Sequence, residues 1–97
     1  MTPEEREARD VTPEERDIAS RVEEVVGAIL GRSMREAGVA TLRLRDLGLS
    51  SLRMIRLLAD LEATFGIRIR DEQVNGENFG TLERLIRFVE RQAGNGS

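Results

Sequence analysis

Apolar residues recur every three or four positions in three separate stretches of this 97-residue chain. That spacing places them on one side of an α-helix. The first predicted helix covers residues 13–30 and is ended by Gly31. The second begins at residue 50 or 51 and ends before Gly66. The last covers residues 81–93, and the segment between the last two has room for one short helix.

The sequence therefore predicts an all-α fold: a small four-helix bundle of three main helices and one short helix, with a long loop between helices one and two. That loop, residues 31–49, is long for so small a domain, and we expect its recurring apolar residues to hold it against the core. Two short alternating stretches, residues 42–45 and 67–70, could instead pair as strands in an α+β domain. The expected anchors are Val39, Leu42, Leu44, Leu47 and, before the last helix, Phe79.

A single folded domain is expected over residues 12–93, with a flexible tail at residues 94–97. The sequence Thr-Pro-Glu-Glu-Arg occurs twice, at residues 2–6 and 12–16. Each copy has the threonine cap and first-turn proline of a helix start, but only the second leads into an apolar stripe. Residues 1–11 are therefore predicted to form a flexible N-terminal arm.

Composition excludes several classes of function. The chain has no His and no Cys, and all 15 of its basic residues are Arg. Without His and Cys it lacks the usual general base, thiol nucleophile and metal ligands, so we expect neither an enzyme nor a metal site. A net charge of −3 disfavours nucleic acid binding. No stretch resembles a signal peptide or a membrane span, so a cytoplasmic protein is expected.

The second predicted helix has two apolar stripes. One is a complete core stripe, and the other lies on a different side of the helix. A helix in so small a domain can rarely bury both, so the second stripe is either covered by the long loop or exposed as a docking patch. The core stripe is Met54, Leu57, Leu58, Leu61 and Phe65, and the second stripe is Leu52, Ile55 and Ala59.

Two serines, Ser50 and Ser51, follow a glycine turn at Gly48 and begin the second helix. The free N–H groups and the dipole at a helix N-terminus favour an anionic group, so a serine there is well placed to carry a phosphodiester. The alternative is that both serines only cap the helix.

These residues resemble the acyl carrier proteins. The similarity rests on Leu-Gly-Leu-Ser-Ser-Leu at 47–52, Leu-Glu-x-x-Phe-Gly-Ile at 61–67 and Phe-x-Thr at 79–81, and it spans about residues 14–92. It implies the carrier-type bundle, a role without catalysis, and 4′-phosphopantetheine on the serine that precedes the leucine, which is Ser51. A phosphopantetheinyl transferase would install this arm from coenzyme A, and the arm would hold acyl or aminoacyl groups as thioesters.

The chain departs from the family pattern at Ser50, where the family usually has Asp, and at Arg53 and Arg56, where fatty-acid carriers tend to be acidic. The cations indicate a dedicated partner and a polyketide or nonribosomal-peptide type of natural-product pathway. We expect a monomer that meets a loading enzyme and downstream synthase enzymes and binds no membrane. The predicted partner-binding residues are Leu52, Arg53, Ile55, Arg56 and Ala59.

Two other functions remain open from the sequence. One is an unmodified helical interaction module that docks through the exposed face of helix two. The other is an arginine-dependent nucleic-acid binder, which the net charge and the three aromatic residues, all at expected core positions, disfavour.

Overall fold

The computed structural model describes residues 13–95, with side chains described over 17–94. It confirms the all-α prediction: four α-helices form a small bundle, and α1 packs against both α2 and α4. Within the described residues there is no strand, only one isolated bridge, between Arg43 and Thr81. The helices are α1 (Pro13–Leu30), α2 (Ser51–Phe65), α3 (Gly76–Phe79) and α4 (Leu82–Asn95).

The first two helices have the bounds that the sequence predicts. Proline fits the first position of α1, where its missing N–H costs no hydrogen bond. Gly31 ends α1 with a positive φ of 72°, and its N–H donates to the Gly27 carbonyl at 2.8 Å. Gly66 ends α2 in the same way, with a φ of 65°.

A single hydrophobic core lies between the main helices and the long loop. The apolar stripes of all three long helices contribute to it, and Phe79 from α3 packs against Phe88 with ring centroids 5.3 Å apart. The fully buried side chains are Val22, Val26, Leu44, Leu57, Leu61, Leu82, Leu85, Phe88 and Val89.

The long loop is held against the core, as predicted, but not by every expected residue. It contains two 3₁₀ turns, Val39–Thr41 and Leu44–Leu47, and Val39 and Leu44 are buried. Leu42, between the turns, is 48% exposed, so its predicted role as an anchor is wrong. A 3₁₀ turn has three residues per turn, and Leu42 lies between two such turns. The regular spacing of apolar residues along the loop therefore does not bring all of them to the core.

The alternative of two paired strands is also wrong for the described residues. The Leu44 N–H donates instead to the Gly80 carbonyl at 2.9 Å, which joins the loop to the start of α4. Thr81 caps α4 as predicted, because its hydroxyl accepts from the Arg84 N–H at 3.2 Å. The helix continues through Asn95, past its predicted end at Gly94. Residues 1–11, the predicted arm, lie outside the described residues.

The far end of α2 is fastened to α1 by one arginine. Arg21 donates from Nη2 to the Thr64 carbonyl at 2.9 Å, and its guanidinium lies 4.8 Å from the centre of the Phe65 ring. These contacts join the C-terminal end of α2 to α1. Over the part of the chain that the structure describes, no helix is both long and apolar enough to cross a membrane.

Candidate cofactor-attachment site

A tight turn at Gly48 positions the start of α2. Gly48 has a φ of 113°, a backbone conformation that a residue with a Cβ adopts only under strain. Its N–H donates to the Arg45 carbonyl at 3.2 Å, and its carbonyl accepts from the Ser50 N–H at 3.0 Å. The next residue, Leu49, is 94% buried, since only 6% of its surface is exposed. The turn therefore buries Leu49 and directs the two following serines outward.

The two serines have different roles in the local structure. Ser50 is the N-cap of α2, and its Oγ accepts a hydrogen bond from the Arg53 N–H at 3.3 Å. Ser51 is the first residue of the helix and is exposed, and its hydroxyl makes no hydrogen bond with any described residue. Because Ser50 already supplies the cap, the Ser51 hydroxyl is not needed to cap the helix. The residue pattern alone left both serines as possible caps, and only the resemblance to the acyl carrier proteins assigned the arm to Ser51.

The second apolar stripe of α2 is exposed. Leu52 has 77% and Ile55 has 65% of its surface accessible, and Ala59 is exposed as well. The long loop does not cover this side, because its apolar residues Val39 and Leu44 are buried in the core. Of the two possibilities that the sequence left open, the structure therefore has the exposed one.

Arg53 and Arg56 lie beside this stripe and are both exposed. Arg53 donates from Nη1 to the Gly48 carbonyl at 3.2 Å, so it also braces the turn that precedes the serines. Arg56 forms an exposed ion pair with Asp60, with Nε and Oδ2 3.7 Å apart. The five predicted partner-binding residues thus share the solvent side of α2.

An open groove of about 550 Å³ lies next to the serines, and the sequence analysis did not predict it. Its walls come from three parts of the chain: the second half of the long loop, Met54 of α2, and residues between 74 and 84. Leu49 and Met54 line it, and these residues stand two positions before and three positions after Ser51. No local sequence pattern indicates a groove whose walls come from distant parts of the chain.

Comparison with known proteins gives the class. Residues 20–89 match the family model described as a phosphopantetheine attachment site. The chain is 33% identical over 82 residues to aminoacyl carrier protein 2 of Bradyrhizobium diazoefficiens, covering 84% of this chain and 92% of that relative. It is 34% identical over 77 residues to aminoacyl carrier protein 1 of the same organism, covering 78% and 86%.

A solved structure agrees with these matches. A chain in the crystal structure of the Bradyrhizobium japonicum glycine:carrier protein ligase, complexed with glycylated carrier protein, matches with a TM-score of 0.63 and 27% identity. The match covers 73% of this chain and 96% of that one. This protein therefore belongs to the acyl carrier protein family, the carriers of covalently attached 4′-phosphopantetheine. An exposed, unbonded serine hydroxyl at a helix N-terminus fits that group.

Proposed function

We propose that 4′-phosphopantetheine is attached to Ser51 and that it holds aminoacyl or acyl intermediates as thioesters. The observation that carries this proposal is the division of roles between the two serines. Ser50 Oγ is engaged as the cap of α2, whereas the Ser51 hydroxyl is exposed and has no partner among the described residues. Removing Ser51 should therefore cost the attachment point without costing the helix its cap.

The chain itself does little chemistry in this proposal. Ser51 presents its oxygen to a phosphopantetheinyl transferase, and a base on the transferase accepts the hydroxyl proton as 3′,5′-adenosine bisphosphate leaves coenzyme A. The arm supplies the thiol that this cysteine-free chain lacks. With no His and no Cys, the chain has no conventional acid–base group beside Ser51, which supports a carrier without catalytic activity.

Aminoacyl cargo is favoured by the relatives. Two similar curated proteins are named as aminoacyl carriers, and the matching solved carrier is glycylated in complex with a ligase. A loading enzyme of that kind, followed by downstream synthase enzymes, would place this protein in a polyketide or nonribosomal-peptide type of pathway. A flexible arm keeps cargo at high effective concentration near whichever enzyme is docked.

The exposed side of α2 is the proposed docking surface for these enzymes. An apolar centre of Leu52, Ile55 and Ala59 is flanked by Arg53 and Arg56. The apolar side chains would supply affinity, and the arginines would steer the encounter and reject unsuitable partners. The surface begins at the residue after Ser51, so a partner bound there would have the arm directly at its edge.

Intact mass measurement after incubation with coenzyme A and a broad-specificity transferase tests the attachment. We expect the mass of wild-type protein to rise by one phosphopantetheine group, the Ser51→Ala variant to gain nothing, and the Ser50→Ala variant to be modified. No gain in the wild-type protein would favour an unmodified helical interaction module. A gain in Ser51→Ala but not in Ser50→Ala would assign the arm to Ser50.

The cargo is identified on protein recovered from the cells that produce it. Hydroxylamine releases a thioester-bound group as its hydroxamate, whose mass distinguishes an aminoacyl from an acyl group. An amine-free acyl hydroxamate would contradict aminoacyl cargo while leaving the carrier function in place.

A further inference from the structure

The groove beside the serines has an unusual balance of charge. Among the described residues that line it, none is acidic, while three are arginines. All three are exposed, which places their guanidinium groups at the solvent edge of the groove. These arginines are Arg43, Arg45 and Arg84.

None of these three arginines has an ion-pair partner among the residues whose side chains the structure describes. Arg43 and Arg45 form no side-chain ion pair or hydrogen bond with any residue from 17 to 94. Arg84 donates from Nη1 to the Gly76 carbonyl at 3.2 Å, a neutral partner that leaves its charge uncompensated. A guanidinium has five N–H donors in a planar fork that matches a carboxylate. Each of the three arginines can therefore offer more than one donor to an anion at the groove.

The inner surface of the groove is apolar. Leu44, Leu49 and Phe79 are buried side chains that line it, and Met54 and Val74 are half-buried beside them. An occupant that fits both parts has an apolar chain and an anionic end. A cation, such as the α-ammonium of an amino acid with a neutral side chain, gains nothing from three arginines.

We propose that Arg43, Arg45 and Arg84 make this groove favour cargo whose far end bears a carboxylate, either a dicarboxylic acyl group or an aminoacyl group with an acidic side chain. This inference rests on the proposed attachment of the arm to Ser51, because Leu49 and Met54 bring the groove next to that residue. The apolar lining contacts the chain of the cargo, and the arginines bind its carboxylate. A thioester held this way is less accessible to nucleophiles in solution.

The test compares two cargoes that differ only in charge. A broad-specificity transferase is given the coenzyme A thioester of adipic acid or that of its terminal amide, and intact mass confirms loading of the full chain. The rate of thioester cleavage by hydroxylamine is then measured and divided by the rate for the same thioester on free pantetheine. We expect the adipoyl form to be cleaved about two- to fivefold more slowly than the amide form at low salt, the range that exposed ion pairs allow. The difference should shrink at high salt.

Two double variants locate the effect. Arg43→Gln/Arg45→Gln should remove most of the difference, and it leaves the Arg84 contact with Gly76 intact. Arg32→Gln/Arg68→Gln removes the same number of exposed cations outside the groove and should keep the difference. Thermal melts of both variants check that they fold. Equal cleavage rates of the two cargoes in the wild-type protein would overturn the proposal. An equal loss of the rate difference in both double variants would overturn it as well.

The phosphodiester of the phosphopantetheine arm is also an anion and could bind the arginines in place of the cargo. A second measurement distinguishes the two. Amide NMR shifts of Gly76 and Gly80, which line the groove, are compared among the free-thiol, adipoyl and amide forms. Shifts specific to the adipoyl form support binding of the cargo carboxylate. The contrary result is that all three forms show the same shifts relative to the protein without the arm, and that these shifts vanish in Arg43→Gln/Arg45→Gln. That result would assign the bound anion to the phosphodiester and overturn the proposal. A failure of the attachment itself is distinct, because no mass would be gained.

Discussion

The two sides of α2 carry similar residues in opposite surroundings. Leu57 and Leu61 are fully buried against α1 and the rest of the core, whereas Leu52 and Ile55 expose 77% and 65% of their surface. Burial of a side chain of this size contributes about 1.5–3 kcal/mol. The buried side therefore contributes to the stability of the bundle, whereas the exposed side would gain that free energy only if a partner covered it. Hydrophobicity alone does not distinguish the two sides, because what separates them is whether they face α1 and the rest of the core.

Truncation on the buried side should have the largest effect. Leu61→Ala leaves a cavity in the core and should lower the free energy of unfolding by about 2–5 kcal/mol. Total stabilities of small domains start near 5 kcal/mol, so this variant approaches unfolding. Urea denaturation followed by circular dichroism measures it. A stability close to that of the wild-type protein would contradict the assignment of the two sides.

The matched truncation on the exposed side should leave stability within about 0.5 kcal/mol of the wild-type value. Ile55→Ala should instead reduce kcat/KM for loading by the cognate enzyme about tenfold or more, because a contact worth about 1.5–3 kcal/mol is lost at the interface. Loading kinetics and a denaturation curve on the same preparation give both numbers. Unchanged loading would mean that partners bind elsewhere.

The N-cap of α2 belongs to neither the buried nor the exposed side, so a change there separates helix stability from both. Ser50→Ala removes the hydrogen bond to the Arg53 N–H and should lower stability by about 1 kcal/mol. Ser50→Asp, which restores a capping oxygen, is the control and should recover most of that loss. Both should still accept the arm. Equal stability of the Ala and Asp variants would show that the cap contributes nothing.

The smallest effect is expected from the charges beside the exposed stripe. Arg53→Glu/Arg56→Glu loses the exposed Arg53 contact with the Gly48 carbonyl and the exposed Arg56–Asp60 ion pair, but the bundle should still fold and still be modified by a broad-specificity transferase. Loading by the cognate enzyme should fall about two- to tenfold at low salt and less at high salt, since exposed ion pairs contribute up to about 1 kcal/mol each. Arg68→Glu, an exposed charge outside α2, is the control. A reduction in loading that is the same at low and high salt would contradict electrostatic steering.

Local signals explain why much of the fold is predictable. Pro13 at the first helical position, Gly31 and Gly66 at helix ends and Thr81 as a cap each act within one helical turn, so the sequence specifies them directly. The loop between α1 and α2 is predicted less well. Met34 is buried with 3% of its surface exposed, yet it stands alone among polar residues with no periodic neighbour to indicate burial.

The candidate site likewise has one part that the sequence predicts and one part that it does not. The motif around Ser51 is contiguous, so its residues can be recognised from the sequence. The groove is not contiguous, because Arg43 and Arg84 are brought together only by the contact of the loop with the start of α4. The alternation at residues 42–45 is also compatible with a short strand, so it does not by itself indicate a groove. In the structure its two arginines are exposed and line the groove, and Leu44 between them is buried and lines it as well.

Met54 lies where the core stripe of α2 meets the groove. It is half-buried, packs against the core cluster and lines the groove, whereas Met34 is buried. Peroxide should therefore reach the Met54 sulfur before that of Met34. Its sulfoxide would put a polar S=O dipole on the apolar wall three residues from Ser51 and leave the serine untouched. Of the two methionines in the described part of the chain, the one oxidised first would therefore alter the wall of the groove and leave Ser51 unchanged.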